Sequence, residues 1–595
     1  MQIDKHKIIE INSEETLTKL KDALCKDLKV SYDVETTGLT YADRPFMQTV
    51  YAAEIGFVID KRRVNKKLWD DTATTILSCS SLIGANIIFD LIMARTEWGL
   101  RFKGRAHCTK IQSFLLDENG SHRLKDLCEK QWPGSNKLET EVKDWLKTHN
   151  DSNMNYDKVP FDIMSHYAVQ DTFLTRHLHD YQLPLVEAEF KDLYETECEL
   201  IKVLVDMKVT GVRLDIPYLK NLVPNFTNKL AGLEIEIHKQ AGSTFNVSSD
   251  LELTDVLYRK LGLKTKVYTE KGELSTAKEA LLGLEHPIGK LLIEHRSLAT
   301  SLHTFVLPWL DYADKYGYLH PNINQTGARS GRFSSSDPNC QNIPKRSPQS
   351  KVLRRVFIYP DDMIGGAHDQ RQMEMIGFAH YSGDPLMQKT IREGGDLHKM
   401  TATEVFKVPQ NEVTSDQRRL GKGTNFSVIY GCGKAKLGSF LSQDAYAGRY
   451  VSSEEALDII TKYKQRFPQV AGFTWQVINR IRQRADFSVK NMFGRKCRLS
   501  YDKAYVGVNR LIQSWAADCM KQGMVKAWKY AQGTDLRLYL NIHDELKWYS
   551  TDKYFMDHAR RLNTCLTQFA NFSLPIKTEI TKSKTNWADE EEITI

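Results

Sequence analysis

Near the end of the chain, Leu536, Leu538, Leu540 and Ile542 occupy every second position and are followed by His543-Asp544-Glu545. A period of two predicts a half-buried strand. His-Asp-Glu falls where that strand turns back as a hairpin, which aims Asp544 outward. Two other apolar runs predict strands: Leu28 to Tyr32, leading into Asp33-Val34-Glu35, and Ser81 to Gly84, followed by a helix with Asn86 and Asp90 one turn apart. Elsewhere the spacing is helical. Tyr194 to Met207 predicts a helix that stops at Thr210-Gly211, with a turn and a short extended piece to Asp215. Asn246 to Leu263 and Lys278 to Tyr312 read as helices, the second long and amphipathic. Residues 131–160 are polar and turn-rich and read as a loop-bearing insertion, and the terminal DEEEIT reads as a frayed acidic tail.

One helical stretch has an unusual face. Arg418, Lys422, Phe426 and Tyr430 recur every four residues, so they lie along one slowly drifting stripe. The stripe carries two cations, then two rings. It fits a solvated amphipathic helix, or a ligand with phosphates at one end and a flat ring at the other, such as a nucleoside triphosphate. A Walker-A reading of Gly421-Lys422-Gly423-Thr424 fails, because GxxxxGK[ST] is absent.

Composition narrows the class without choosing a function. At 595 residues the chain is expected to hold two to four domains. Hydrophobic residues at 41% and charged residues at 26% describe a globular protein, and a net charge of +7 is compatible with a polyanionic partner. The ten cysteines are scattered, with no CxxC pair, which argues against a zinc site or a disulfide framework. No apolar run has membrane-spanning length and the start has no signal-peptide core, so a cytoplasmic protein is expected.

Candidate chemistry begins with carboxylates. Asp33 and Glu35 point to one strand face, Asp90 follows the second strand, and Tyr167 and Asp171 share a helix face. In this order the motifs resemble those of the DEDD exonucleases, in the variant with Tyr in the third motif. The resemblance implies that Asp33, Glu35, Asp90 and Asp171 hold two Mg²⁺ ions, with Mn²⁺ as a substitute, and that Tyr167 orients the attacking water. Hydrolysis of a phosphodiester by two such ions requires several converging hard-oxygen ligands.

From residue 321 onward the chain resembles family A DNA polymerases. The carriers are the block Asn324 to Pro344, the motif His368-Asp369-Gln-Arg-Gln-Met-Glu374, the Arg418–Gly431 stripe, and His543-Asp544-Glu545. The stretches 241–263, 272–281 and 286–306 are similar to the family's thumb, with Thr300 in place of an expected Lys. By this resemblance Asp369 and Asp544 hold a second pair of Mg²⁺ ions. Arg418, Lys422, Phe426, Tyr430, Glu374, His398 and Gln372 take the dNTP, Lys422 also protonating the pyrophosphate and Glu374 excluding a ribose 2′-OH. Arg332, Gln341, Asn342, Asn509, Gln513 and His543 contact DNA. Gln370, Arg371, Ile376 and Tyr505 depart from the family's pattern.

The implied fold is a multidomain α/β chain. An RNase H-like 3′–5′ exonuclease domain (1–185) precedes a right-hand polymerase with a linker and helical thumb (186–320), an antiparallel-sheet palm (321–394 and 501–595) and helical fingers (395–500). The implied function is template-directed DNA synthesis with proofreading. Its partners are primer–template DNA, dNTPs, a single-stranded 3′ end and replisome components such as a helicase–primase and a single-strand-binding protein, and the enzyme is expected to be a monomer. The absence of a preceding 5′-nuclease domain and of a long thumb insertion resembles a bacteriophage replicative enzyme. The rivals are a repair or lesion-bypass polymerase, which the altered residues 370, 371 and 376 keep open, a nuclease with a nucleic-acid-binding C-terminal half, and a single-subunit RNA polymerase. The paired Asp369 and Asp544 speak against the second; Glu374, Phe426 and the exonuclease motifs speak against the third.

Overall fold

The computed structural model describes residues 1–149, 155–269, 271–345, 347–443 and 451–595. The first sheet has six strands, β1 (Ile8–Glu10), β2 (Val30–Thr36), β3 (Pro45–Ala52), β4 (Ile55–Asp60), β5 (Ser81–Gly84) and β6 (Arg105–Cys108), in the order β1-β4-β3-β2-β5-β6. Strand β2 is antiparallel to β3 and parallel to β5. It starts two residues later than the apolar run predicts, because Leu28 is 74% exposed.

A 50-residue helix, Phe161–Thr210, lies across this sheet. Ser31 donates to the Thr172 carbonyl at 2.5 Å and Thr49 to the Ala168 carbonyl at 3.3 Å, which fixes the helix over β2 and β3. Pro184 cannot donate a backbone hydrogen bond, and the helix leaves helical angles at Phe190, so one element runs from the first sheet towards the second in two pieces. It ends at Gly211, as the sequence predicts.

Several expectations are corrected. The polar segment 131–160 contains a helix, Lys137–Thr148, that buries Leu138, Val142 and Leu146. These four-residue steps form an apolar stripe that the polar residues around them conceal. Part of that segment, 150–154, lies outside the described residues. The predicted helix 278–312 is broken: Lys278–Leu282 stops at Gly283, and Pro287 starts a second helix. The turn widens over Ser301–Val306, just ahead of Pro308, which has no N–H to give to the helical ladder. The predicted helix from Asn246 begins at Asp250, capped by Ser249, and widens into a π-helical turn over Asp255–Lys260. The helix Ile216–Ala241, which packs beside Pro287–Thr300, is missing from the sequence reading.

The second sheet is antiparallel and has five strands, in the spatial order Arg537–Ile542, Glu545–Thr551, Met363–Gln370, Thr578–Ser583, Glu591–Ile593. The acidic tail is therefore an edge strand. Glu590, just before it, accepts from Lys547 at 2.7 Å, Arg354 at 3.0 Å and Tyr359 at 3.0 Å. Beyond Leu397 a helical layer follows, including Leu397–Phe406, Ser415–Ile429, Ser453–Arg466 and Pro468–Gln483, and it shares a core with Met373–Ser382. The mixed α/β, multidomain class expected from the sequence is the one observed.

Candidate active sites

The hairpin of the second sheet forms as predicted. His543 takes a left-handed φ of 56° at its turn, and the Gln370 N–H donates to the Asp544 carbonyl at 3.0 Å. This ties the hairpin tip to the end of the strand that carries Asp369. Both carboxylates therefore meet at one end of the sheet, in a cleft of about 570 Å³ that Glu374, Arg418, Lys422 and Phe426 also line. Burial raises the Asp544 carboxyl to about 6, against the pull of Arg332 and with Asp369 adding repulsion. Burial likewise raises Asp369, opposed by Lys345.

The stripe from Arg418 to Tyr430 forms one wall. A capping box between Thr414 and Gln417 starts its helix. Gly421 lets that helix approach Leu397–Phe406, since a Cβ there would stand 2.3 Å from the His398 carbonyl oxygen. Asp396 caps the neighbouring helix through the His398 and Lys399 N–H groups and accepts from the Arg418 Nε at 2.6 Å. Burial works against its charge, but Arg418 and the backbone donors hold Asp396 below the usual carboxylate range. The Lys422 ammonium is 5.6 Å from the Phe426 ring centre, and the Phe426 and Tyr430 rings lie 6.0 Å apart at 6°. His398 also lines the cleft, but it is 2% exposed, its Nδ1 meets Asn425 at 3.1 Å, and burial drives it down to about 3, so it is neutral.

Glu374 joins this wall to the sheet. Arg332 donates to its Oε1 at 2.6 Å and the Tyr430 hydroxyl bonds its Oε2. Gln372, with a left-handed φ of 55°, lines the same cleft. Arg332, Gln341, His543 and Asp544 line an adjoining cavity, and the buried Gln341 Nε2 has no partner there. Asn342 is exposed, and Asn509 and Gln513 are half-buried on the helix Gly507–Ala531. The atypical residues have structural partners: Gln370 donates to the Leu566 carbonyl, Arg371 pairs with Glu579 and Glu592, and Ile376 is in the core. Tyr505 is 60% exposed.

The first sheet carries a separate carboxylate group. Asp33 and Glu35 share one face of β2. Asp90, on Ile87–Trp98, accepts from the Val34 N–H at 3.0 Å, and Tyr167 and Asp171 come from the long helix. Burial and then Asp171 push Glu35 up to about 8; burial pushes Asp90 up to about 7; burial, Asp90 and Glu35 raise Asp33. Lys125 bonds Asp171, and its ammonium is 4.5 Å from the Tyr167 ring centre.

A crowded carboxylate group with one ammonium is short of positive charge, and its all-oxygen donor set suits Mg²⁺. The pair Asp369 and Asp544 offers hard oxygen donors of the same kind, with Arg332, Lys345 and Lys422 as the cations around it. Among the described residues, however, no three His, Cys, Asp or Glu side chains already form a cage for an ion. Lys125 bonds one carboxylate group, and Lys345, whose ammonium reaches Glu545 at 2.6 Å and Asp369 at 3.4 Å, bonds the other. Sequence reasoning missed both lysines, because they stand 46 and 200 residues from Asp171 and Glu545, respectively.

Residues 216–589 match the model of DNA polymerase family A. The chain belongs to that family. Residues 8–187 match a 3′–5′ exonuclease model. The thermostable DNA polymerase I of Thermus aquaticus is 36% identical over 366 residues, 59% of this chain and 43% of that protein. DNA polymerase I of Chloroflexus aurantiacus is 32% identical over 472 residues, 75% of this chain and 48% of that protein. The chain thus spans less than half the length of these two relatives. The POL domain of Pol1 from M. smegmatis, solved in complex with DNA primer-template and dNTP, superposes with a TM-score of 0.82 at 22% identity, covering 98% of this chain and 99% of that one. The family member described here therefore has that domain's fold.

Proposed function

We propose that this family A chain is a template-directed DNA polymerase with 3′–5′ proofreading. The observation that carries the reading is the facing of Asp369 and Asp544, at one sheet end, by the Arg418–Lys422–Phe426 wall across a single cleft, with a second carboxylate group on another sheet. Asp369 and Asp544 would hold Mg²⁺ in the cleft, and Asp33, Glu35, Asp90 and Asp171 would hold it in the exonuclease, two ions per site with Mn²⁺ as a substitute. Bound ions supply Lewis-acid polarisation of the reacting phosphate and lower the pKa of the attacking hydroxyl or water.

The side chains do the rest. Arg418 and Lys422 bind the triphosphate and offset charge developing on the leaving pyrophosphate, to which Lys422 is placed to give a proton. His398, being neutral, and Gln372 offer polar contacts without added charge. Phe426 and Tyr430 border the sugar and base, and Glu374 occupies the space a ribose 2′-OH would need. Arg332, Gln341, Asn342, Asn509, Gln513 and His543 contact the primer–template. The minor groove offers them acceptors in similar places for every base pair, so correct pairs are read without reading sequence. Tyr167 orients the water that attacks a single-stranded 3′ end.

On this reading residues 1–185 are the exonuclease, 186–320 linker and thumb, 321–394 and 501–595 palm, and 395–500 fingers; the two separate sheets support the division. The complete exonuclease carboxylate set supports a replicative enzyme, which we read as a monomer, over a repair enzyme. We extend it to a bacteriophage genome copied in host cytoplasm, alongside helicase–primase and single-strand-binding protein. Asp544→Asn should abolish primer extension with Mg²⁺ and dNTPs and leave single-strand degradation intact. Retained extension would remove the assignment.

A further inference from the structure

Away from both carboxylate sites, four charged side chains meet in the interior. They come from the long helix, the 488–498 hairpin and the helix Gly507–Ala531. Glu197, Arg495, Asp518 and Lys521 are each at most 2% exposed. Arg495 clasps Asp518 through its Nε at 2.9 Å and Nη2 at 2.7 Å, and the same Nη2 reaches Glu197. Lys521 donates to Glu197 at 2.7 Å, and Asn491 donates to Asp518 at 2.7 Å. Two acids and two bases balance, so the group is neutral as a whole.

This hub grips one loop. Gln325 donates to the Glu197 carboxylate at 2.7 Å and to its carbonyl at 3.1 Å, and the Gln325 carbonyl accepts from Lys521 at 3.3 Å. Six residues on, Gly331 adopts a left-handed φ of 80° and lies on the Arg495 guanidinium; a Cβ there would stand 2.6 Å from Nε. The Phe333 ring lies 5.3 Å from the Lys521 ammonium. Arg332 sits between these two anchored residues, and its free end bonds Glu374. Apolar residues of like volume would fill such an interior with equal or better stability. What the forked guanidinium adds is direction, because its donors fix the angle at which neighbours attach.

We propose that Glu197, Arg495, Asp518 and Lys521 are positioning residues for the polymerase site: they hold the 325–333 loop in the register in which Arg332 clamps Glu374, and so set discrimination between deoxy- and ribonucleotides. This rests on the reading of Glu374 as the group beneath the sugar. Once the loop slackens, Arg332 no longer restrains the Glu374 carboxylate, and a 2′-OH is admitted. Glu197 lies on the helix that also carries Tyr167 and Asp171, so a purely architectural role would disturb both activities together.

The test uses the full chain with Glu197→Gln, Gly331→Ala and Glu374→Ala. Gly331→Ala keeps all four charges and only pushes on the guanidinium, so it remains informative if Glu197→Gln folds poorly. For each, kcat/KM is measured with a dNTP and the matching rNTP on one primer–template, together with single-strand degradation. We expect both hub variants to lower the dNTP/rNTP ratio about tenfold or more, with degradation within about twofold of wild type. If Glu374→Ala lowers the ratio while both hub variants leave it unchanged, or only slow both nucleotides equally, the hub proposal falls alone. If Glu374→Ala also leaves it unchanged, the sugar-contact reading falls and the hub proposal with it.

Discussion

Phe426 shows how much one atom can decide at the residue scale. Its ring is parallel to Tyr430 and within reach of the Lys422 ammonium, in a wall that is otherwise polar. It brings no hydroxyl to the cleft. A nucleotide sugar laid against it would therefore have to supply its own 3′-OH as the polar group in that space, and a dideoxynucleotide leaves the space without one. Phe426→Tyr adds the missing hydroxyl. A hydrogen bond to a charged group is worth ~1.5–3 kcal/mol, so incorporation of ddNTP relative to dNTP should rise about tenfold or more. Chain-termination ratios measured for the two forms check this, and equal ratios would mean the ring is not beside the sugar. The stripe was legible in the sequence because a helix face is local: four residues at four-residue steps state their own geometry. Lys125 and Lys345 were not legible. A lone lysine carries no period, and the carboxylates that it meets are chosen by how distant elements pack.

At the scale of elements, the edge strand Glu591–Ile593 shows the same limit. A run of acids reads as solvated, yet Glu590 is paired with Arg354 and Lys547, and Glu592 with Arg371, residues far away in sequence. Arg371, an odd residue beside Asp369 when read alone, has one partner in Glu579 and gains a second from this strand. The hairpin 537–551 and strand β2 were predictable from alternation, whereas the helix Lys137–Thr148 was hidden because composition outweighed spacing in a polar segment. The tail's contribution can be measured. The Lys547 side chain is fully buried, and among the described residues Glu545, at 3.1 Å, is the carboxylate it keeps without Glu590. Breaking a buried pair by removing one partner costs about 3–5 kcal/mol. Glu590→Ala should lower unfolding free energy by that order in urea titrations, and a loss below about 1 kcal/mol would show that the tail is not part of the sheet's support.

Across the whole molecule, one helix links the two carboxylate sites. It carries Tyr167 and Asp171 over the first sheet and Glu197 into the interior beside the second. Its surroundings are full of groups whose protonation differs between folded and unfolded chains. Burial holds His107 down to about 3 and His179 down to about 4, the pair lying 4.8 Å apart between the first sheet and this helix. Burial opposes the charge on Glu197, but Lys521 and Arg495 outweigh it and bring it down to about 2. An unfolded histidine takes up its proton near pH 6.5, so between pH ~6.5 and ~4 these two histidines bind more protons in the unfolded chain than in the folded one, whereas the raised carboxyls of Glu35, Asp90 and Asp544 do the reverse. The histidines' own contribution to stability therefore falls on acidification through that window, offset by that of the carboxyls. Below pH ~4.5 Glu197 acts in the same direction, since its folded pKa lies beneath its unfolded one, and its contribution disappears as pH approaches 2. His107, His179 and Glu197 are each worth on the order of a few kcal/mol, a large share of a typical 5–15 kcal/mol total. In urea unfolding from pH 7 to 3, the stability of wild type minus that of His107→Gln should fall through the upper window. In Glu197→Gln the extra slope below pH ~4.5 should flatten while the slope between ~6.5 and ~4 remains. A difference flat across the upper window would mean that His107 is not held neutral. An unchanged lower slope in the variant would mean that Glu197 is not the group that joins the two halves electrostatically.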